Sequence, residues 1–67
     1  MNKNLLRSIM TLHGETYADI AALLGISEAS VTNKMNEKGT EFRQGEISAI
    51  QKHYNLTSEQ LINIFFS

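Results

Sequence analysis

Short groups of apolar residues recur along the chain at three- and four-residue spacing, as on one face of a helix. Leu5, Leu6, Ile9 and Met10 form the first such stripe. Alternation with a period of two, which indicates strands, is absent from the sequence. The turn signals between the groups are Gly14, Gly25, residues 36–39 and Asn55. The pattern predicts an all-α fold, a compact bundle of five short helices.

Capping residues predict where these helices begin and end. Thr16 with Asp19, and Thr57 with Gln60, have the spacing of capping boxes. Ser27 is a good N-cap, because its hydroxyl can accept from the first turn. We expect helices over about residues 2–13, from Thr16 to Gly25, over 27–36, over 44–54 and from Thr57 through Phe65.

The third helix is the least apolar of the five. Val31 and Met35, four residues apart, are its inward positions, and its other residues are small or polar. Phe42 follows in a polar loop, where we expect it to plug the core. A helix with so narrow an apolar seam is covered by its own domain on one side only. Its other side is available to a partner.

The segment from Thr16 to Met35 predicts two short helices that meet at a sharp corner. Gly25 can adopt the positive φ that such a corner needs, and Ala21 leaves room for a close crossing. The apolar residues that close the corner are Ile20, Leu24, Ile26 and Val31. The second helix of the pair then protrudes as a cylinder that fits the DNA major groove, about 12 Å wide.

This corner resembles the Cro/repressor class of helix-turn-helix domains, the lambda-repressor-like regulators of temperate bacteriophages and many bacteria. Leu24-Gly25-Ile26-Ser27, with Ala21 before it and Val31 after it, matches that class. The rest of the chain is similar to short phage regulators from Gram-positive bacteria at 33–36, Phe42, 46–47, 55–57 and 64–66. The resemblance therefore covers nearly the whole chain, and we take residues 1–67 as a single helix-turn-helix domain.

The resemblance implies a sequence-specific transcriptional regulator, of repressor or Cro-like type, that reads a double-stranded DNA operator. Its recognition helix would be Ser27–Asn36, and the residues expected to contact bases are Glu28, Ala29, Ser30 and Asn33. Those expected to contact phosphates are Tyr17, Ser27, Lys34, Asn36, Lys38, Thr40 and Arg43. Tyr17 and Arg43 depart from the class, which often has Gln and Thr or Ser there.

The C-terminal segment is more apolar than a surface helix needs. With Leu61, Ile64 and Phe65 turned inward, Ile62 and Phe66 lie toward the outside. Phe66 either folds back over the edge of the bundle or joins Ile62 in a two-fold contact. We expect the contact, because a homodimer can read two half-sites about one helical turn apart.

Composition argues mildly against nucleic acid, because six Lys and Arg face seven Asp and Glu, for a net charge of −1. The case for DNA therefore rests on arrangement. The alternative is a protein-binding modulator or antirepressor that keeps the fold and acts on another phage regulator.

We expect no enzyme, metal site or cofactor. The chain has no cysteine, His13 and His53 are isolated, and no glycine-rich phosphate loop occurs. The longest apolar run is too short to span a membrane. We therefore expect a soluble, intracellular protein, and the resemblance implies the cytoplasm of a host bacterium.

Overall fold

A computed structural model describes residues 1–66 and contains five helices and no strand within that range. The helices are α1 (Lys3–Leu12), α2 (Tyr17–Leu24), α3 (Glu28–Met35), α4 (Gln44–Tyr54) and α5 (Ser58–Phe65). The predicted all-α bundle of five helices is confirmed. The predicted bounds are met to within one or two residues, because the capping residues Thr16, Ser27 and Thr57 lie just before their helices.

One core joins all five helices, and each helix contributes a side chain that is almost completely buried. These side chains are Leu6, Ile20, Val31, Ile50 and Ile64. Phe42 closes the core from the loop before α4, as predicted, and its ring meets that of Phe65 edge to face at 6.0 Å. Leu56, in the turn before α5, is also buried, although the sequence pattern had not marked it as core.

The corner between α2 and α3 has the predicted geometry. Gly25 adopts a left-handed conformation with φ of 68°, and the N–H of Ile26 donates to the carbonyl of Ala21 at 3.1 Å. The Ser27 hydroxyl then accepts from the N–H of Ser30 at 3.1 Å and so begins α3. These local contacts fix the direction in which α3 leaves α2.

The other helix starts are capped in different ways. The Asp19 carboxylate accepts from the N–H of Thr16 at 2.8 Å, and Thr57 and Gln60 exchange two bonds of 2.9 and 3.1 Å. At α4, Arg43 offers no side-chain acceptor, but its N–H donates to Glu46 at 2.8 Å. One of the two hydrogen bonds of a capping box, that from the Arg43 N–H to Glu46, is therefore present at the start of α4.

No helix in residues 1–66 is long and apolar enough to cross a membrane.

Replacing Gly25 by alanine should lower the free energy of unfolding by about 1 kcal/mol, because an L residue is strained in the left-handed region. The added methyl group would meet no atom within 4 Å, so the effect is conformational. Gly45→Ala is the matched control. Gly45 lies inside α4 and also faces open space, so alanine should stabilise by about 0.5–1 kcal/mol. Urea unfolding measures both values, and effects of the same sign would contradict the role given to Gly25.

Candidate nucleic-acid interface

Helix α3 turns one side to the core and the other to solvent. Val31, Lys34 and Met35 are buried. Ala29 and Asn33 are exposed, as is Glu28 in the first turn, whereas Ser30 is half-buried. On a helix with about 3.6 residues per turn, Ala29, Asn33 and Asn36 lie opposite the buried side. The predicted base-reading face is thus accessible in the structure.

Lys34 is the residue that departs from its predicted role. Only 8% of it is exposed, and its Nζ donates to the carbonyl of Glu41 at 3.2 Å and to Oε1 of Glu46 at 3.1 Å. A lysine with this burial and these partners is not presented to a phosphate. We therefore correct its assignment: Lys34 fastens α3 to the start of α4.

The carboxylate of Glu46 receives both this ammonium and the N–H of Arg43. Partial burial opposes its ionisation, but the hydrogen bonds from Arg43 and Lys34 outweigh that effect and hold the pKa of Glu46 below its ordinary value. Ionised Glu46 therefore stabilises the fold above pH 4.5, the ordinary value, and this contribution is lost as the pH falls through the lowered pKa.

A surface cleft of about 350 Å³ lies between α3 and the residues that precede α4. Five predicted site residues line it, namely Ser30, Asn33, Lys34, Thr40 and Arg43. Thr40 and Arg43 are exposed. Lys38, also exposed, follows α3 directly, and its backbone N–H donates to the carbonyl of Asn33 at 3.0 Å. We call this the Arg43 cleft.

A second cleft, of about 470 Å³, lies along α1 and the start of α2. Tyr17, Glu28 and Asn36 line it together with Arg7. Nearby, the Nζ of Lys3 donates to Oδ1 of Asn36 at 2.8 Å. We call this the Arg7 cleft. No DNA contact was predicted for Lys3 or Arg7, although their spacing of four residues puts both on one face of α1.

Two hydroxyls at the start of α3 bond to each other. Ser27 Oγ donates to Ser30 Oγ at 2.9 Å while it accepts from the Ser30 N–H. The Ser27 hydroxyl is thereby engaged as a cap. The proton of the Ser30 hydroxyl stays available to an outside acceptor.

The helix-turn-helix geometry of α2 and α3 can be compared with that of known protein families. The model of the Cro/C1-type HTH DNA-binding domain family matches residues 5–67. The chain belongs to this family. No curated protein and no solved structure matches it significantly. The resemblance to the Cro/repressor class is confirmed, and the chain is a DNA-binding regulator domain of a family that is not one of enzymes. Origin in a phage of Gram-positive bacteria remains a prediction.

The charges of this Cro/C1-type HTH domain are arranged more favourably for DNA than its net charge of −1 indicates. Four carboxylates accept hydrogen bonds or ion pairs inside the domain, namely Glu15, Asp19, Glu37 and Glu46. Apart from Lys34, no lysine or arginine forms a salt bridge with a carboxylate within residues 1–66. Four of these cations are beside α3 or in contact with its end, namely Lys3, Arg7, Lys38 and Arg43.

The C-terminal end of the HTH domain carries an apolar surface. Ile62 is 55% exposed and Phe66 67% exposed, so both lie toward the outside as predicted. Phe66 also lines a cleft of about 390 Å³ with Phe42, Ile47 and Leu61. This apolar end borders neither the Arg7 cleft nor the Arg43 cleft, although Phe66 lines another cleft together with Lys34 of α3.

Neither histidine belongs to a metal-binding cluster in the part of the chain that the structure describes. His53 Nε2 lies 2.8 Å from Oε1 of Glu15, and the ring of His13 packs against Tyr54 with centroids 5.0 Å apart.

Lys34→Met should lower the free energy of unfolding by about 1.5–3 kcal/mol at neutral pH, because it removes charged hydrogen bonds and leaves Glu46 without its ammonium partner. Lys38→Met is the matched control and should change stability by less than about 0.5 kcal/mol, since Lys38 is exposed. Urea unfolding measures both. Equal losses in the two variants would show that the contacts of Lys34 contribute nothing specific.

Proposed function

We propose that this domain is a sequence-specific transcriptional regulator that inserts α3 into the major groove of a double-stranded operator. The observation that carries the proposal is the exposed polar side of α3, held outward by the glycine corner and bordered by cations. An α-helix fits the major groove, and side chains from its first turns reach base edges.

The proposed base contacts are Glu28, Ala29, Ser30 and Asn33. Asn33 offers the donor and acceptor pair that matches adenine, Glu28 can accept from cytosine, and Ala29 can touch a thymine methyl. The exposure of these three residues supports this assignment. Ser30 has a hydroxyl proton to donate, because Ser27 donates to its oxygen.

The proposed phosphate contacts are Tyr17, Ser27, Asn36, Lys38, Thr40 and Arg43, without Lys34. The grouping of Thr40 and Arg43 in one cleft and of Tyr17 and Asn36 in the other supports them. Ser27 would contribute mainly through the backbone at the start of α3, because its hydroxyl caps that helix.

We further propose that the regulator acts as a phage-type repressor or Cro-like protein, which blocks transcription by occupying its operator in the cytoplasm of a bacterium. It would bind as a homodimer through Ile62 and Phe66. The exposure of these two apolar side chains, which border neither the Arg7 cleft nor the Arg43 cleft, supports this contact. A dimer places two copies of α3 on successive half-sites.

The same apolar end favours a second candidate function, in which the domain docks on another regulator as a modulator. Titration of a labelled duplex at low and high salt separates the two. A DNA binder weakens steeply with salt, whereas a modulator has little affinity for the duplex at either concentration.

Asn33→Ala should weaken binding to the cognate operator by about 1–3 kcal/mol and relax discrimination at one base pair, because a bidentate contact to adenine is lost. The operator is obtained by selection from random duplexes, and affinity for it is compared with affinity for scrambled sequence. Unaltered discrimination would mean that the assigned recognition face is wrong.

Arg43→Ala provides the comparison for Asn33→Ala. It should weaken operator and scrambled duplexes alike and reduce the salt slope by about one, because a phosphate contact carries no sequence information. The backbone N–H of Arg43 that bonds Glu46 is kept in this variant, so the start of α4 should be unaffected.

Replacing Ile62 and Phe66 together by serine should shift the protein toward monomer, because an apolar contact between copies loses its central side chains. Leu12→Ser is the control, since Leu12 is 83% exposed and lies on α1. Analytical ultracentrifugation with and without operator measures both. A wild-type protein that stays monomeric on the operator would refute the contact.

A further inference from the structure

The cations of α1 make few contacts within the domain. Arg7 is exposed and forms no hydrogen bond or ion pair within residues 1–66. Lys3 makes one contact, its hydrogen bond to the exposed side chain of Asn36. Both residues nevertheless lie beside α3, because Lys3 contacts Asn36 at the end of that helix and Arg7 shares a cleft with Glu28 and Asn36.

Helix stability does not account for these two positions either. Lys3 is the first residue of α1 and Arg7 the fifth, and the first turn holds no acidic residue. The positive end of the helix dipole is at this terminus, where carboxylates stabilise and cations do not. These charges therefore contribute little to helix α1 itself and are accessible to a partner outside the chain.

The two clefts lie on opposite sides of a line along the middle of the exposed face of α3. With about 3.6 residues per turn, Glu28 and Asn36 lie to one side of that line and Ser30 and Asn33 to the other. The first pair borders the Arg7 cleft and the second pair borders the Arg43 cleft. A helix in the major groove lies between two phosphodiester backbones, so each cleft faces a different DNA strand.

We propose that Lys3 and Arg7, together with Tyr17 and Asn36, form a second phosphate-binding site that holds the DNA strand opposite the one at Arg43. This inference rests on the proposed DNA-binding function and adds α1 to its interface. Lys3 supplies an ammonium and orients the Asn36 amide by binding its oxygen, which leaves the amide NH₂ to donate to phosphate. Arg7 supplies a guanidinium that can hold a phosphate with two donors.

Two carboxylates, those of Glu15 and Glu28, border the same cleft and add negative charge to it. Glu15 is paired with His53 through contacts of 2.8 and 3.1 Å. Glu28 belongs to the proposed base-reading set, and its acceptor role is toward cytosine. The cations on this side of α3 are Arg7, which lines the cleft, and Lys3, which contacts Asn36 beside it.

The test compares the salt dependence of binding to a short random-sequence duplex, which reports phosphate contacts without a known operator. In the Lys3→Ala/Arg7→Ala variant the slope of log K against log salt should be shallower by about two. The conservative Lys3→Arg/Arg7→Lys variant should keep the wild-type slope. Lys52→Ala, which removes a cation that borders neither cleft, should keep it as well.

Strand assignment follows from ethylation interference on a selected operator duplex. The alanine double variant should lose interference at phosphates on one strand of each half-site, and Arg43→Ala should lose it on the other. Loss on the same strand in both variants would overturn the two-strand arrangement.

The outcomes separate this inference from the proposed function. If the wild-type domain binds with a steep salt slope and the alanine double variant has the same slope, the α1 site is wrong and the DNA-binding function stands. An equal loss of slope in Lys52→Ala would also overturn the site, because the effect would then be one of net charge. A wild-type domain without salt-dependent binding would refute the proposed function, and the α1 site with it.

Discussion

The outward presentation of α3 depends on how little of that helix is apolar. Val31 and Met35 are the apolar side chains that α3 buries, and an eight-residue helix with so small a seam is weakly held by the hydrophobic effect alone. Lys34 completes the inner side by reaching the carboxylate of Glu46 and the carbonyl of Glu41. The glycine corner sets the direction in which α3 leaves α2, and this polar contact fixes the helix to α4.

The placement of its charges explains how a slightly acidic domain can belong to a DNA-binding family. Carboxylates are engaged at helix starts and in internal pairs, as Asp19, Glu46 and Glu15 illustrate. Most cations lack such partners within residues 1–66 and several are close to α3. Because exposed charges act over roughly a Debye length, about 10 Å, their local arrangement matters more to a bound duplex than the sum over the chain.

Polar and apolar residues are concentrated on different parts of the domain surface. Polar and cationic residues surround α3, and apolar residues gather at the end of α5, where Ile62 and Phe66 are exposed. A shared core ties the two regions together, since every helix contributes one buried aliphatic side chain to it. In a chain of 67 residues a single core of this size must support both surfaces.

Local sequence was enough to predict the five helices, their caps and the corner, because these depend on residues three or four positions apart. The bonds of Ser27 with Ser30 and of Thr57 with Gln60 join such neighbours and do not need the rest of the fold. The contacts of Lys34 and the placement of the α1 cations beside α3 depend on the tertiary structure. Glu46 is 12 residues from Lys34, and Asn36 is 33 residues from Lys3. The angles at which the helices pack decide which of these distant groups meet. Those angles cannot be predicted from the periodicity of residues along the chain.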